Sequence, residues 1–343
     1  MQRAYRISIL IAVISCALLQ HGAAWAQSQL TMTIGYPPGA IYDVYGRLVA
    51  RHLGKHLPGN PTVVVQNMPG AGSLRSANYL YGVAPKDGSA IGLFARGLAM
   101  QPLLDPQGVQ FDAHKFGWIG SPSSEVSVVI ASAASPFKTI EDAQRREMVV
   151  SASGSGADSV IFPYILNGVI GTKFKVVTGY PGNADMLLAV ERGEADGNAG
   201  TSWISLVSIK PDWVRDRKIN VLLQLASKKH PDLLHVPLAL DLATNESDAK
   251  VLELIFSRQQ MAYPFAAPPD IPPQRLQALR NSFDITMKDA EFLADARRQN
   301  LDVDPVSGDE IAAIVRKIYA SPKEVIARAR SVLEAGKSAT SSK

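Results

Sequence analysis

Short apolar runs alternate along most of the chain with stretches whose apolar residues recur every three or four positions. The helical spacing is clearest in residues 44–57, where one face carries Val44, Leu48, Val49, Leu53 and Leu57. The apolar runs predict strands at residues 30–35, 62–66, 90–94, 126–131, 148–151, 174–178 and 219–226. Because strands alternate with helices, the pattern predicts an α/β fold with parallel or mixed sheets flanked by helices.

The order of these elements predicts two domains, of which the first is discontinuous. Residues 27–125 and 226–343 form the first domain, and residues 126–225 form the second. The stretch of residues 228–236 is interpreted as the return toward the first domain. The chain passes between the two domains twice, which predicts a hinge. Open α/β sheets bind ligands at the carboxyl ends of their strands. We therefore expect an interdomain cleft.

Four glycine-bearing loops lie where a predicted strand gives way to a predicted helix. They span residues 36–43, 68–73, 153–159 and 180–185. A loop of this kind directs free backbone N–H groups and the positive end of a helix dipole at one spot. Two loops fall in each predicted domain, so they predict an anion-binding cleft.

Residues 1–26 have the pattern of a secretory signal peptide. Arg3 and Arg6 precede an apolar run, and Ala24 and Ala26 flank a cleavage point, which predicts export to the periplasm. An uncleaved anchor helix and a lipoprotein modified at Cys16 are the alternatives. Cys16 is the only cysteine, so the cleaved chain is expected to contain no disulfide and no cysteine-bound metal.

The charge composition argues against a nucleic-acid partner. The formal net charge is +4 and charged residues make up 19% of the chain, with both signs intermixed. No basic stripe stands out in the sequence. A small molecule is therefore the expected partner.

The glycine pairs do not fit a nucleotide site. Gly70 and Gly72 begin a dinucleotide fingerprint, but its third glycine would fall on residue 75, which is Arg75. We therefore expect no cofactor.

The serine-rich third loop raises the alternative of an exported serine hydrolase that uses Ser155. A nucleophile elbow needs glycine two residues before and two residues after the serine, where this chain has Ser153 and Ala157. His230 and His235 are the downstream candidates for a catalytic base. The preferred interpretation has no catalytic residue and no enzymatic activity.

His52 and His56 have the spacing of two metal ligands on one helix. The glutamate that metalloproteases place after the first histidine is Leu53 here, and a third ligand is not evident. The simpler interpretation is two histidines on a polar helix face, so no metal is expected.

Aromatic and hydroxyl side chains of the glycine loops are candidates for ligand contact. Tyrosine rings can wall a small ligand and donate an O–H group, although packing beneath the loop is an equal alternative. The candidates are Tyr36, Tyr42 and Tyr180, with Ser73, Ser155, Ser159 and Ser202 as neutral donors and Trp203 as pocket floor or hinge. Asp43, Asp158 and Asp185 are interpreted as helix N-caps.

Seven segments, taken in order, resemble the solute-binding receptors of tripartite tricarboxylate transporters, often called Bug receptors. The resemblance covers residues 30–317 and rests on residues 36–43, 66–72, 84–88, 154–156, 180–182, 191–196 and 231–237. It implies a two-domain, type II periplasmic-binding-protein-like fold that closes over a small carboxylate. It also implies that the protein, expected to be a monomer, delivers its ligand to membrane subunits of the transporter.

The resemblance also implies which positions bind the ligand through backbone amides, hydroxyls and water. They are Gly39, Ala40, Ile41 and Tyr42 in the first loop, Gly72 and Ser73 in the second, and residues 155–159 and 180–183, which include Gly156 and Gly182. The family usually has a second glycine after Gly39, where this chain has Ala40. The larger side chains that follow would reshape the mouth of the pocket, so no particular ligand is carried over.

Overall fold

The computed structural model describes residues 29–154 and 157–341. Its strands are β1 Gln29–Ile34, β2 Thr62–Asn67, β3 Ala90–Leu93, β4 Gly117–Ser121, β5 Ser127–Ser132, β6 Met148–Ser151, β7 Phe174–Val177, β8 Gly197–Ser202, β9 Ile219–Leu225, β10 Phe265–Ala267 and β11 Val306–Ser307. Its α-helices are α1 Ile41–Leu53, α2 Leu74–Gly82, α3 Gln101–Leu104, α4 Ile140–Arg145, α5 Asp158–Val169, α6 Asn183–Glu191, α7 Trp203–Ile209, α8 Pro211–Arg215, α9 Glu246–Phe256, α10 Pro273–Thr286, α11 Ala290–Arg298, α12 Gly308–Tyr319 and α13 Lys323–Ser341. Short 3₁₀ turns cover Gly54–His56, Ala71–Ser73, Arg96–Ala99, Ala113–Lys115, Pro231–Leu233, Ala239–Leu242 and Ser257–Gln260.

The strands form two mixed sheets. The six-stranded sheet has the order β11–β4–β10–β3–β1–β2, and the five-stranded sheet has the order β7–β6–β8–β5–β9. β1 runs parallel to β2 and β3, whereas β10 is antiparallel to β3 and β4. In the second sheet β6 is parallel to β7 and β8, and β5 is antiparallel to β8 and β9. This arrangement confirms an α/β fold with two helix-flanked mixed sheets.

The first glycine loop is held in place because α1 packs closely on β1. Tyr45, Leu48 and Val49 form the buried face of α1, and Met32 and Ile34 of β1 are fully buried beneath it. Burial of these side chains is the main favourable contribution to this packing. It fixes the start of α1 at the carboxyl end of β1.

Several element boundaries differ from the sequence predictions. Helix α1 begins at Ile41 and ends at Leu53, whereas the apolar spacing predicted residues 44–57; the last turn tightens into the 3₁₀ segment Gly54–His56. The predicted strands are confirmed within one or two residues at each end. Four strands were not predicted. β4 and β8 each contain two glycines and few consecutive apolar residues, and β10 and β11 have only two or three residues, which carry no periodicity.

The two sheets draw their strands from different parts of the chain. We propose a first domain of residues 27–125 and 226–343 and a second of residues 126–225. Strands of the six-stranded sheet lie within residues 29–121 and 265–307, and strands of the five-stranded sheet lie within residues 127–225. Leu233 and Val236 of the return segment nevertheless pack with the core of the five-stranded sheet.

The last helix connects the two domains. Val332 of α13 packs so closely on α5 that a Cβ atom on Gly168 would overlap it. The Arg328 guanidinium donates to the carbonyl of Gly168 at 2.8 Å, and Arg330 donates to the carbonyl of Leu103 in α3. This contact between domains was not predicted. Within the described ranges, no helix has both the length and the apolar character needed to cross a bilayer.

Candidate functional site

A cavity of about 160 Å³ opens between the two sheets. Its lining comes from both domains and from the linker between β4 and β5. The side nearer the six-stranded sheet contributes Tyr36, Ile41, Tyr42, Ala95, Arg96, Gly97 and Tyr263. The five-stranded side contributes Ser153, Ala157, Asp158, Ser159, Asn183, Met186, Gly200, Thr201, Ser202 and Ser205, and the linker contributes Glu125.

One wall of the cavity is a row of tyrosine rings. The rings of Tyr36 and Tyr42 stack with centroids 4.4 Å apart, and Tyr263 meets Tyr42 edge-on at 5.1 Å. Tyr45 stacks behind Tyr263 at 4.0 Å. Burial raises the pKa of Tyr36 and Tyr42, so both phenols stay neutral and can donate or accept hydrogen bonds.

The opposite wall carries amide and hydroxyl groups. Asn183 is fixed from two sides, because its Oδ1 accepts from Thr201 at 2.9 Å and its Nδ2 donates to Ser205 at 3.1 Å. The Ser159 hydroxyl accepts from the backbone N–H of Ser153 at 3.2 Å. These contacts orient neutral polar groups toward the cavity at little entropic cost on binding.

Three helices begin at the cavity without a side-chain cap. Their first residues, Ile41 of α1, Asp158 of α5 and Asn183 of α6, all line it. The residues that precede them, Ala40, Ala157 and Gly182, make no side-chain capping hydrogen bond. First-turn amides that no capping side chain among residues 29–154 and 157–341 satisfies, together with the helix dipoles, favour an anion at this point.

The three predicted N-cap aspartates have other roles. Asp43 lies two residues inside α1, where it accepts from the backbone N–H of Gly39 and from Arg47, each at 2.9 Å. Asp158 is the first residue of α5, and Asp185 is the third residue of α6. The N-cap interpretation is therefore wrong for all three, since each aspartate lies within its helix and not at the residue that precedes it.

Asp158 is held by two arginines. Arg96 Nη2 donates to Asp158 Oδ2 at 2.7 Å, and Arg258 Nη1 lies 3.3 Å from Asp158 Oδ1. Arg96 is 7% exposed and Arg258 is 1% exposed. Burial works against the charged form of Arg96, but the nearby acidic groups, Asp158 above all, raise its pKa. Burial lowers the pKa of Arg258, whose guanidinium also lies over the Phe162 ring.

Glu125 places a second carboxylate at the cavity. Its side chain is fully buried, and its Oε2 accepts from the Tyr263 hydroxyl at 3.2 Å. Arg96 Nη1 is 4.0 Å from the same oxygen. Burial raises the pKa of the Glu125 carboxyl because desolvation disfavours its charged form.

The predicted site residues divide into three groups. Those that line the cavity are Tyr36, Ile41, Tyr42, Ser159 and Ser202. Those that do not line it are Gly39, Ala40, Gly72, Ser73, Tyr180, Gly182 and Trp203. Ser155 and Gly156 lie outside the described residues. Ser73 still supports the site, because its hydroxyl donates to the carbonyl of Gly35 next to Tyr36.

Three residues that line the cavity were not identified as site residues from the sequence: Arg96, Glu125 and Tyr263. Arg96 follows β3 by three residues, so its position at the carboxyl end of a parallel strand was a usable signal. Glu125 and Tyr263 lie in irregular segments that carry no motif. Only the three-dimensional fold brings them to the cavity.

His52 of α1 and His56 of the 3₁₀ turn that follows it face α11 and its N-cap. His52 Nε2 is 3.2 Å from Asp295 and His56 Nε2 is 2.9 Å from Asp289. His52, Asp289 and Glu291 present ligand atoms within 4.8 Å of one another, which could hold a metal ion. The ammonium group of Lys55 lies 2.9 Å from Asp289 and 2.8 Å from Glu291, so a cationic side chain already neutralises these carboxylates.

Comparison with known proteins identifies the family. The profile described as tripartite tricarboxylate transporter family receptor matches residues 46–329. No curated protein sequence is similar enough to the chain to count as a match. A TctC solute-binding protein from Polaromonas is 19% identical in sequence, with a TM-score of 0.64 over 88% of this chain and 99% of that one.

Two further solved structures were determined with ligands. MatC from Rhodopseudomonas palustris with bound malate and Rpa4515 from the same organism with adipate are each 16% identical to this chain. Each has a TM-score of 0.66 and covers 89% of this chain and 98% of its own. These similarities show the two-domain fold of periplasmic solute-binding proteins. With the profile match over most of its length, this chain belongs to the tripartite tricarboxylate transporter receptor family.

Proposed function

We propose that this protein is a periplasmic receptor that binds a small organic anion, most simply a carboxylate, in the cavity between its domains. It delivers that anion to the membrane subunits of a tripartite tricarboxylate-type transporter. One observation carries the proposal: the uncapped first turns of α1, α5 and α6 meet at one cavity. Such helix ends bind anions through backbone N–H groups and helix dipoles, and these interactions hold a ligand without any chemical reaction.

The comparisons support the same ligand class. Two proteins of similar fold were solved with malate and with adipate, which are both dicarboxylates. We propose that this chain contacts its anion through the first-turn amides and through Tyr36, Tyr42, Ser159, Asn183 and Ser202. The signal-like residues 1–26 support export, and we propose that the exported receptor acts as a monomer.

We propose that the receptor binds its ligand without transforming it. Among the described residues that line the cavity there is no histidine. His230, one of the two candidates for a hydrolase base, belongs to a separate groove beside Trp203. Nothing in the described residues favours the serine hydrolase alternative over binding.

A charge placed at the start of α6 tests the proposal. Gly182 has an extended backbone, and the nearest atom to a Cβ atom built on it is 3.9 Å away. Gly182→Asp would put a capping carboxylate onto the amides that are meant to bind the anion. Gly182→Asn caps with the same shape and without the charge.

The assay is calorimetric titration of each variant with the carboxylate that stabilises the parent protein most. We expect Gly182→Asp to weaken binding at least about tenfold, because like charges would share one site. Gly182→Asn should bind within about threefold of the parent, since a neutral cap adds no repulsion. Equal affinities for the parent and the aspartate variant would refute binding at this helix end.

A further inference from the structure

Glu125 has one carboxylate oxygen that forms no hydrogen bond in the described part of the chain, although the Ser202 hydroxyl interacts with this carboxyl and works to lower its pKa. Its Oε2 accepts from Tyr263, but its Oε1 has no hydrogen-bond partner among residues 29–154 and 157–341. Arg96 Nη1 is 4.0 Å from Oε2, which is too long for a hydrogen bond. A buried acceptor without a donor is unfavourable, so a ligand that supplies a donor gains from binding beside Glu125.

The charged groups around Glu125 balance one another in number, although Arg96 Nε and Arg258 Nη2 also lack a hydrogen-bond partner in the described part of the chain. Asp158 accepts from Arg96 at 2.7 Å and lies 3.3 Å from Arg258. The two guanidinium groups therefore balance Asp158 and an ionised Glu125. A dicarboxylate would add two negative charges to this neutral wall. A zwitterion would add no net charge, and its positive end would meet the oxygen that lacks a donor.

The lining of the cavity thus contains groups that favour opposite charges. The uncapped first turns that begin at Ile41 and Asn183 favour a carboxylate, and Glu125 in the interdomain linker favours a donor with positive charge. We propose that the ligand is a small zwitterion that carries a carboxylate and a protonated amine, and that Glu125 binds the amine. This inference rests on the receptor function proposed above and narrows its ligand class.

Protonation of Glu125 gives the proposal a distinct signature. The titratable groups around this carboxyl are Arg96, Asp158, Tyr42, Tyr45 and Tyr263. Burial raises the pKa of Glu125 in the empty cavity, and a ligand ammonium would lower it again. Binding of a zwitterion should therefore release protons and weaken as the pH falls. If the ligand were instead a dicarboxylate bound beside a protonated Glu125, binding would be coupled to proton uptake by the protein. Its affinity would then increase as the pH falls.

The first test compares ligands of matched length on the unmodified protein. γ-Aminobutyrate and succinate differ in whether one end is an ammonium or a carboxylate, and β-alanine and malonate form a shorter pair. Calorimetric titrations in buffers of different ionisation enthalpy, between about pH 5 and pH 8, measure affinity and proton exchange together. We expect the amino acid of at least one pair to bind at least about tenfold more tightly than the dicarboxylate of the same pair, and its binding to release protons. Tighter dicarboxylate binding in both pairs, or proton uptake with the amino acids, overturns the inference.

A substitution at Glu125 supplies the second test. Glu125→Gln keeps the shape and an oxygen for Tyr263 but removes the negative charge. The substitution should lower the affinity for the favoured zwitterion at least about tenfold and leave the affinity for dicarboxylates unchanged or higher. Glu253→Gln, on the exposed face of α9, is the matched control and should bind like the parent. Unchanged zwitterion affinity in a folded Glu125→Gln protein would contradict the assignment.

The outcomes separate the two proposals. If dicarboxylates bind and the amino acids do not, the zwitterion inference fails while the receptor function stands. If neither kind of ligand binds, and other carboxylates also fail to bind, both proposals fall. If Glu125→Gln does not fold, proton release by the unmodified protein decides the question.

Discussion

The pair between Arg96 and Asp158 is expected to stabilise the fold as well as the site. Arg96→Met keeps most of the buried methylene stem and removes the guanidinium. The lost contact is a hydrogen bond of 2.7 Å to a carboxylate at a side chain that is only 8% exposed. Removing one partner of a buried ion pair costs about 3–5 kcal/mol. Asp158 retains Arg258 at 3.3 Å, so we expect a loss near the lower end, about 3 kcal/mol.

Urea denaturation of the ligand-free protein at neutral pH measures this loss as a change in the free energy of unfolding. Arg215→Met is the control, because Arg215 Nε lies 2.8 Å from Asp216 but its side chain is 72% exposed. A solvent-exposed pair of that length should make no measurable contribution. The two variants thus remove ion pairs of similar length, of which one is buried and the other is exposed to solvent.

A double-mutant cycle tests whether the effect comes from the pair itself. Asp158→Asn alone should destabilise the protein, and adding it to Arg96→Met should cost less than it costs alone. We expect a coupling energy of at least about 1 kcal/mol for such a buried contact. The reasoning is refuted if Arg96→Met costs less than about 1 kcal/mol or if the two substitutions are additive.

Three further predictions concern parts of the fold away from the cavity. Partial burial opposes ionisation of Asp295, but its hydrogen bonds, led by that from His52, lower its pKa to about 2. The stability that the ionised carboxylate contributes is present above the unfolded-state pKa of 3.8 and is lost between about pH 4 and pH 2. Asp295→Asn should therefore make the free energy of unfolding less dependent on pH in this range. Ser307→Ala removes the bond that the Ser307 hydroxyl accepts from the backbone N–H of Glu310 in the capping box of α12, whereas the backbone N–H of residue 307 can still donate to Glu310. The loss should cost about 1 kcal/mol in urea denaturation. A Cβ atom on Gly120 would overlap the Phe283 ring, so Gly120→Val should cost about 2 kcal/mol, and an unchanged denaturation midpoint would contradict that packing.

The α/β fold could be predicted from the sequence because seven of the eleven described strands are short apolar runs between turn residues, whereas the glycine-bearing β4 and β8 and the very short β10 and β11 are not. β2 is a clear case, since its three consecutive valines are followed within a few residues by a proline–glycine turn. The start of α1 was harder, because its first turn contains Ile41 and Tyr42, which read equally well as loop residues. The contact between α13 and α5 joins distant parts of the chain and leaves no local pattern.

The site was only partly predictable, for a related physical reason. Tyr36 lies in a glycine loop and Ser159 lies in the first turn of the helix that follows another, and both positions follow from local sequence. Arg96, Glu125 and Asp158 meet only after two domains and a linker have assembled. Their importance comes from burial and mutual charge, which are properties of the folded structure.

The central claim, that the interdomain cavity binds an organic anion, is tested most directly by a thermal-shift screen of the ligand-free protein. The panel contains mono-, di- and tricarboxylates and amino acids, with neutral sugars and polyamines for contrast. The account predicts that at least one carboxylate-bearing compound raises the melting temperature, since a ligand at 100 times its Kd stabilises by about 2.7 kcal/mol. No shift with any carboxylate, together with a clear shift from a sugar or a polyamine, would contradict it.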